Sequence, residues 1–247
     1  MRASAYFGMI SALALATVAS AAEAPGPKSP WEGFGVGSWV HLKTTTKTRG
    51  PGLSMPDETT ETRETLAKVT AEAHTTKRET KTTTGWEVVG ESVHARRVEE
   101  SPPGVETEDL GTEKLVVEGK AIECKKVRTK FARTIITTWT SRTYGVLKTE
   151  SDNDAGGGKT YALRTVTALA KKVKIAGKEL VCRETTLFTR MELPGMPARA
   201  PGEGTNGVEL ESDAVPGRRV RFEATSKGGP LSRSEVEELV AFEVKPP

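Results

Sequence analysis

Two cysteines, Cys124 and Cys182, are the chain's only thiols. A thiol pair can close a disulfide, stay as two buried free thiols, or bind metal or react. Each sits in a matching phrase. Val117-Glu118-Gly119-Lys120-Ala121-Ile122-Glu123-Cys124 and Ile175-Ala176-Gly177-Lys178-Glu179-Leu180-Val181-Cys182 both read apolar-x-Gly-Lys-x-apolar-x-Cys. Repeat-related positions brought close enough would bridge as Cys124–Cys182, whereas strands several places apart leave the sulfurs out of reach, because a bond needs Cα atoms within about 7 Å.

Histidines are the next ligand type. His41, His74 and His94 fall on three different early segments without a short His-x-x-x-His spacing, so solvated strand histidines are expected rather than a zinc site. Gly35-Val36-Gly37-Ser38-Trp39 lacks the closing Gly of a nucleophile elbow, and Gly156-Gly157-Gly158-Lys159-Thr160 lacks the strand and spacing of a phosphate loop. The carboxylates Glu99, Glu100, Glu106, Glu108, Asp109, Glu237 and Glu238 cluster in loops or on polar strand faces. As glycosidase pairs they would need a cleft with sugar-stacking rings, and aromatics are only 5% of the chain. No catalytic residue, metal or cofactor is therefore expected. Trp39, Trp86, Trp139 and Tyr144 are the aromatics placed to line a groove between sheet and loops, with core packing as the alternative.

The elements that must position these residues are strands. Threonine is unusually abundant, and its β-branch favours a pleated, half-wet surface over a helix. Val36, Ser38, Val40 and Leu42 alternate with Trp39, His41 and Lys43. Glu64 to Thr75 reads as one strand and Trp86 to Val98 as another. The acidic run Glu106 to Asp109 reads as loop, and Lys114 to Cys124 as a hairpin turning at Gly119. Thr134 to Trp139, Tyr144 to Thr149, Tyr161 to Leu169, Lys172 to Ile175, Leu180 to Thr189, Val208 to Ser212, Val220 to Ala224 and Val236 to Val244 complete the set. Asp152 to Gly158 is a flexible tip, and Pro194 to Gly207 a Pro/Gly-rich loop. About eleven strands joined by short links give an all-β fold: a single large antiparallel curved sheet or half-open β-barrel. The matched phrases make it an internal two-fold repeat, with related units at about 112–150 and 170–224.

Met1-Arg2 followed by the Ala-rich run to Ala22 is the pattern of a secretory signal peptide over 1–22. A Pro/Gly-rich leader over 23–34 and one antiparallel domain over 35–247 follow. No later apolar run approaches the length of a membrane helix, so no membrane span is expected in the mature chain, which would be periplasmic or extracellular. With 36 Lys+Arg against 33 Asp+Glu interleaved along the chain, the net charge of +3 excludes a nucleic-acid partner, which would need basic residues massed on one face.

Trp31-Glu32-Gly33-Phe34, Gly37-Ser38-Trp39-Val40, the Gly-Lys-x-x-x-Cys phrases and the turn at Ser212, Val215, Pro216 and Gly217 together resemble a group of exported bacterial proteins rich in long antiparallel strands. More distantly the arrangement is similar to the LolA/LolB-type lipoprotein-carrier superfamily. That resemblance implies a half-open barrel holding lipid in an apolar concavity. The first unit departs from the pattern, with Tyr144-Gly145 where Val-Pro-Gly would stand. Three functions remain: a non-catalytic envelope protein binding a hydrophobic ligand or lipidated partner, a surface module binding protein or polysaccharide, and, disfavoured by the missing nucleophile and base, a secreted hydrolase.

Overall fold

The computed structural model describes residues 29–95, 104–154, 158–175, 177–192, 203–227 and 232–247. The expected signal, the leader up to Lys28, Glu99 and Glu100, the middle of the Asp152–Gly158 tip and most of the Pro194–Gly207 loop lie outside them. The described Thr- and Val-rich stretches form β1 (Trp39–Gly50), β2 (Leu53–Ser54), β3 (Glu58–Val69), β4 (Ala73–Thr82), β5 (Gly85–Ala95), β6 (Glu106–Val117), β7 (Lys120–Phe131), β8 (Thr134–Ser141), β9 (Gly145–Asp154), β10 (Lys159–Ile175), β11 (Lys178–Glu192), β12 (Gly204–Glu211), β13 (Arg219–Lys227) and β14 (Ser232–Glu243). The fold is all-β, and every strand pair is antiparallel. One sheet runs in the order β5-β4-β3-β1-β14-β13-β12-β11-β10-β9-β8-β7-β6, with β2 paired only to the end of β1.

The strand count exceeds eleven for local reasons. Glu64 to Thr75 is the end of β3 and the start of β4, folded at a turn where the Thr70 hydroxyl accepts the N–H groups of Glu72 and Ala73 at 3.3 and 2.9 Å. The acidic run from Glu106 belongs to β6, because Arg128 and Lys125 on β7 supply ion-pair partners to Glu108 and Asp109 at 3.1 Å each. In the other direction, Tyr161–Leu169 and Lys172–Ile175 fuse into the single 17-residue β10.

The sheet is open at β5 and β6. Direction alternates across the strand order, so these two edges run the same way and cannot close by the antiparallel pairing used elsewhere. Only residues 96–105 join Ala95 to Glu106, a reach of about 40 Å at most. A flat sheet of this order would separate its edges by about 58 Å. The sheet must therefore curve, and β10 indeed approaches both β6 and β14. Each edge carries a bulge: Val89 is the extra residue on β5, and Leu110-Gly111 interrupt β6, where Gly111 has φ 83° and donates to the Asp109 carboxylate at 2.9 Å. Bulges turn an edge away from pairing with other chains.

The repeat is written into the irregularities. Leu147 on β9 and Val220 on β13 are extra residues at the same point of the two units, and Thr167 on β10 matches Val240 on β14. Gly145 and Arg218, at equivalent turn ends, both take left-handed φ, 68° and 62°. Strand β10 closes the first unit and opens the second.

Apolar side chains gather in two clusters. Val117, Ile122, Cys124, Trp139, Leu147 and Val166 make the first. Leu180, Cys182, Leu210 and Val220 occupy the equivalent places in the second, joined by Val40, Leu42, Leu66, Leu239, Val215 and Trp31. Leu210 is smaller than its counterpart Trp139, and Trp31 from outside the sheet supplies the missing ring, 2% exposed. Gly217 lies against this ring, where a Cβ would be in ordinary contact at 3.4 Å, and its φ of 73° is what favours glycine there. Gly217 also donates to Pro30 O at 3.1 Å, while Gly35 bonds Lys245 O and Gly37 bonds Leu66 O at 2.9 and 2.8 Å. Trp31 and Phe34, expected in a leader, thus pack with the core.

Candidate functional site

Cys124 on β7 and Cys182 on β11 are buried with free thiols. They lie four strands apart, roughly 19 Å along a sheet, and belong to different clusters. Of the alternatives open from sequence, two buried free thiols is the one found. Burial raises the pKa of both, and Glu113 and Glu123 push Cys124 further. His74 and His94 are cross-strand partners on β4 and β5, while His41 on β1 pairs with Glu61 at 2.8 Å and meets the Trp86 ring edge-on at 5.0 Å. No group of three ligand-type side chains gathers among the described residues.

The four groove aromatics are dispersed over β1, β5, β8 and the β8–β9 turn. Trp139 is core, 2% exposed, because Leu147 and Cys124 pack with it while Lys126 and Lys148 place their ammonium groups 4.8 and 4.4 Å from its ring. Its indole N–H donates to Glu113 at 2.9 Å. Trp39 is half-buried and donates to Glu243 at 2.8 Å; Trp86, also half-buried, carries the Arg63 guanidinium 4.8 Å from its ring. Tyr144 is 44% exposed.

Two polar constellations emerge instead, neither singled out from sequence. Directly paired residues of antiparallel strands share a face. Thr185, Glu209, Phe222, Glu237 and Thr44 are successive partners from β11 to β1, and Arg183, Glu211 and Arg219 make the adjacent row. Glu209 is 5% exposed and holds Arg164 at 2.6 Å and Arg219 at 3.4 Å; Arg219 also reaches Glu237 at 3.0 Å. Burial, then the charge of Glu209, raises the Glu211 pKa despite Arg164, Arg183 and Arg218. Burial lowers that of Arg183, which donates to Val146 O. Glu209-x-Glu211 and Arg219 alternate in the sequence as strand residues do, but which strands lie opposite was not readable there.

The second constellation is a cleft of about 280 Å³ at the ends of β8 to β11, farthest from the apolar clusters. Tyr161 forms part of its wall among Arg133, Asp152, Asp154, Lys159, Arg190 and Glu192. Burial first, then Glu150, raises the Tyr161 pKa, so the phenol stays neutral and can donate or accept. No protein-family model matches the chain, and no curated protein matches its sequence.

Proposed function

We propose that this chain is an exported, non-catalytic protein of the cell envelope whose open sheet binds a polar partner, protein or polysaccharide. One observation carries this reading: the buried apolar side chains gather in two clusters filled by the protein's own Trp139 and Trp31, while exposed ones such as Val93, Val116, Val181 and Val240 are scattered over β5, β6, β11 and β14. The side chains sunk into the sheet beyond them are mostly polar, among them Thr62, Thr76, Glu79, Thr129, Thr149, Ser151, Thr185 and Glu209. A lipid site requires the reverse, apolar walls with few polar groups. Glu209 spends one carboxylate oxygen on Arg164 and the other on Arg219, an arrangement suited to holding a surface rigid rather than to moving a proton. The Met1-Arg2 start and the Ala-rich run to Ala22 support export.

Native mass spectrometry of protein purified from its own envelope fraction tests the reading. The expected spectrum is the bare polypeptide, with polysaccharide or protein recovered in pull-downs from the same fraction. A stoichiometric adduct of lipid mass would overturn it and restore the carrier-like function that the sequence resemblance implies.

A further inference from the structure

We propose that the cleft at the ends of β8 to β11 is a saccharide subsite with Tyr161 as its stacking platform, an inference that rests on the polar-partner reading and names its ligand. Two cross-strand rows build it. Ile135, Asp152, Tyr161 and Arg190 are successive Cα partners across four strands, so their side chains share one face. Two residues further on, Asp154, Lys159 and Glu192 form the second row. Arg133 closes that row from the β7–β8 turn, its carbonyl accepting the Asp154 N–H at 3.0 Å.

The Tyr161 ring is flanked by neighbours on its own face of the sheet. Phe188 stands 6.1 Å away at 56°, and the Arg190 guanidinium lies 6.0 Å from the Tyr161 centroid. Phe188 in turn rests on Gly204, where a Cβ would come within 3.0 Å of its ring. An aromatic side chain covering a strand glycine is a recurrent way of fixing a ring on a sheet.

Charge selects the ligand. Arg133, Lys159 and Arg190 alternate with Asp152, Asp154 and Glu192, so the cleft is neutral in sum and dense in both donors and acceptors. A polyanion or polycation meets as much repulsion as attraction there. A lipid tail finds only Ile135 and the ring. Arg190 already pairs with Glu192 at 3.2 Å, and a neutral ring bearing hydroxyls suits the donors and acceptors that remain: carboxylates accept from its hydroxyls, guanidinium and ammonium groups donate to them, and its C–H face lies on the phenol. At about 280 Å³ the cleft falls just below the usual range of small-molecule pockets, room for a short stretch of a chain that continues over the sheet.

The test is titration calorimetry of the whole mature protein against oligomers of β-1,4-glucan, β-1,3-glucan, α-1,4-glucan and N-acetylglucosamine. At least one probe should bind wild type. Tyr161→Ala should weaken that binding about tenfold or more, as expected for loss of an aromatic platform, and Tyr161→Phe should keep it within about threefold. Asp152→Ala should also weaken it, and serves in place of Tyr161→Ala should that variant fail to fold. Tyr144→Ala, in a turn at the opposite end of the sheet, should leave it unchanged. Binding by wild type with Tyr161→Ala and Asp152→Ala unaffected overturns the cleft assignment while leaving a polar partner standing. No binding to any probe overturns the assignment too, and the pull-downs above then decide the broader reading separately.

Discussion

Replacing Trp31 by Ala removes a ring that belongs to no strand yet is 2% exposed inside the second cluster. A buried tryptophan covers about 150–250 Å², which at about 25 cal/mol/Å² is roughly 4–6 kcal/mol of transfer free energy as an upper bound. Measured Trp→Ala costs of about 3–5 kcal/mol fall in the same range. The backbone bonds of the segment, Gly35 and Gly37 donating and Pro30 accepting, survive the substitution, so it stays attached and cannot collapse fully into the void. Urea unfolding followed by far-UV circular dichroism should therefore show a loss of about 3–5 kcal/mol, which at a slope near 3 kcal/mol/M moves the midpoint by roughly 1–1.7 M. Trp139→Leu, which gives the first cluster the leucine the second has at position 210, should cost about 1–3 kcal/mol, since no outside ring fills its space. Because the two tryptophans lie in separate clusters, the double variant should be additive within about 0.5 kcal/mol. A loss below about 1 kcal/mol for Trp31→Ala would refute the claim that the segment from Ser29 to Ser38 completes the core.

Three further outcomes follow from single positions. Cys124 and Cys182 should be inert to a thiol reagent in the folded protein and both titrate after unfolding in guanidinium; an unfolded chain with no free thiol would sink the separation of the two clusters. Gly145→Ala should cost about 1 kcal/mol from backbone strain alone, because a Cβ there meets nothing within 4 Å, and Arg218→Gly should gain up to about 1 kcal/mol less its exposed ion pair with Asp213. Glu211→Gln should match the parent in stability below the ordinary carboxylate range and exceed it progressively as pH rises to 7. The sign follows from the raised folded-state pKa: the fold favours the protonated acid, so ionisation penalises the parent above that range and cannot affect the amide. A gap that stays constant with pH contradicts this.

The all-β class and the repeat were legible because their signals are local. Val40 and Leu42 alternate against Trp39, His41 and Lys43, and the first two are indeed the buried pair. Gly119 turns its hairpin with φ 76°, as its sequence neighbours indicate. The strand boundary inside Glu64–Thr75 was not legible, because Ala71, Glu72 and Ala73 continue a period-two pattern and only the Thr70 hydroxyl marks the turn. Leu66 alternates with the charged Glu64 and Lys68 at period two and is nevertheless fully buried. Trp31 looked like leader because proline and glycine surround it, and the side chains it is buried with, Val215 and Val220 among them, lie far away in sequence. The charged rows and the cleft depend on strand order and register, which no stretch of this chain states by itself.

The repeat provides an internal control that separates what the fold demands from what it merely permits. Positions that agree between the units are structural: the two buried cysteines, the extra residues Leu147 and Val220, and Ser141 and Ser212, whose hydroxyls accept backbone N–H groups of Thr143 and Ala214 in their turns. Where the units differ, the sheet accepts either choice. Glu209, Glu211 and Arg219 stand where the first unit has Thr138, Thr140 and Val146, so the charged rows are not needed to build strands of this kind. The counterparts of Ile135, Asp152 and Tyr161 in the second unit are Asn206, Thr225 and Ser234, which are themselves successive cross-strand partners. Small polar side chains satisfy the second unit at the same level of the same face. A half-buried phenol with carboxylates around it in the first unit is then no requirement of the sheet, which is what the proposed saccharide subsite requires of its platform.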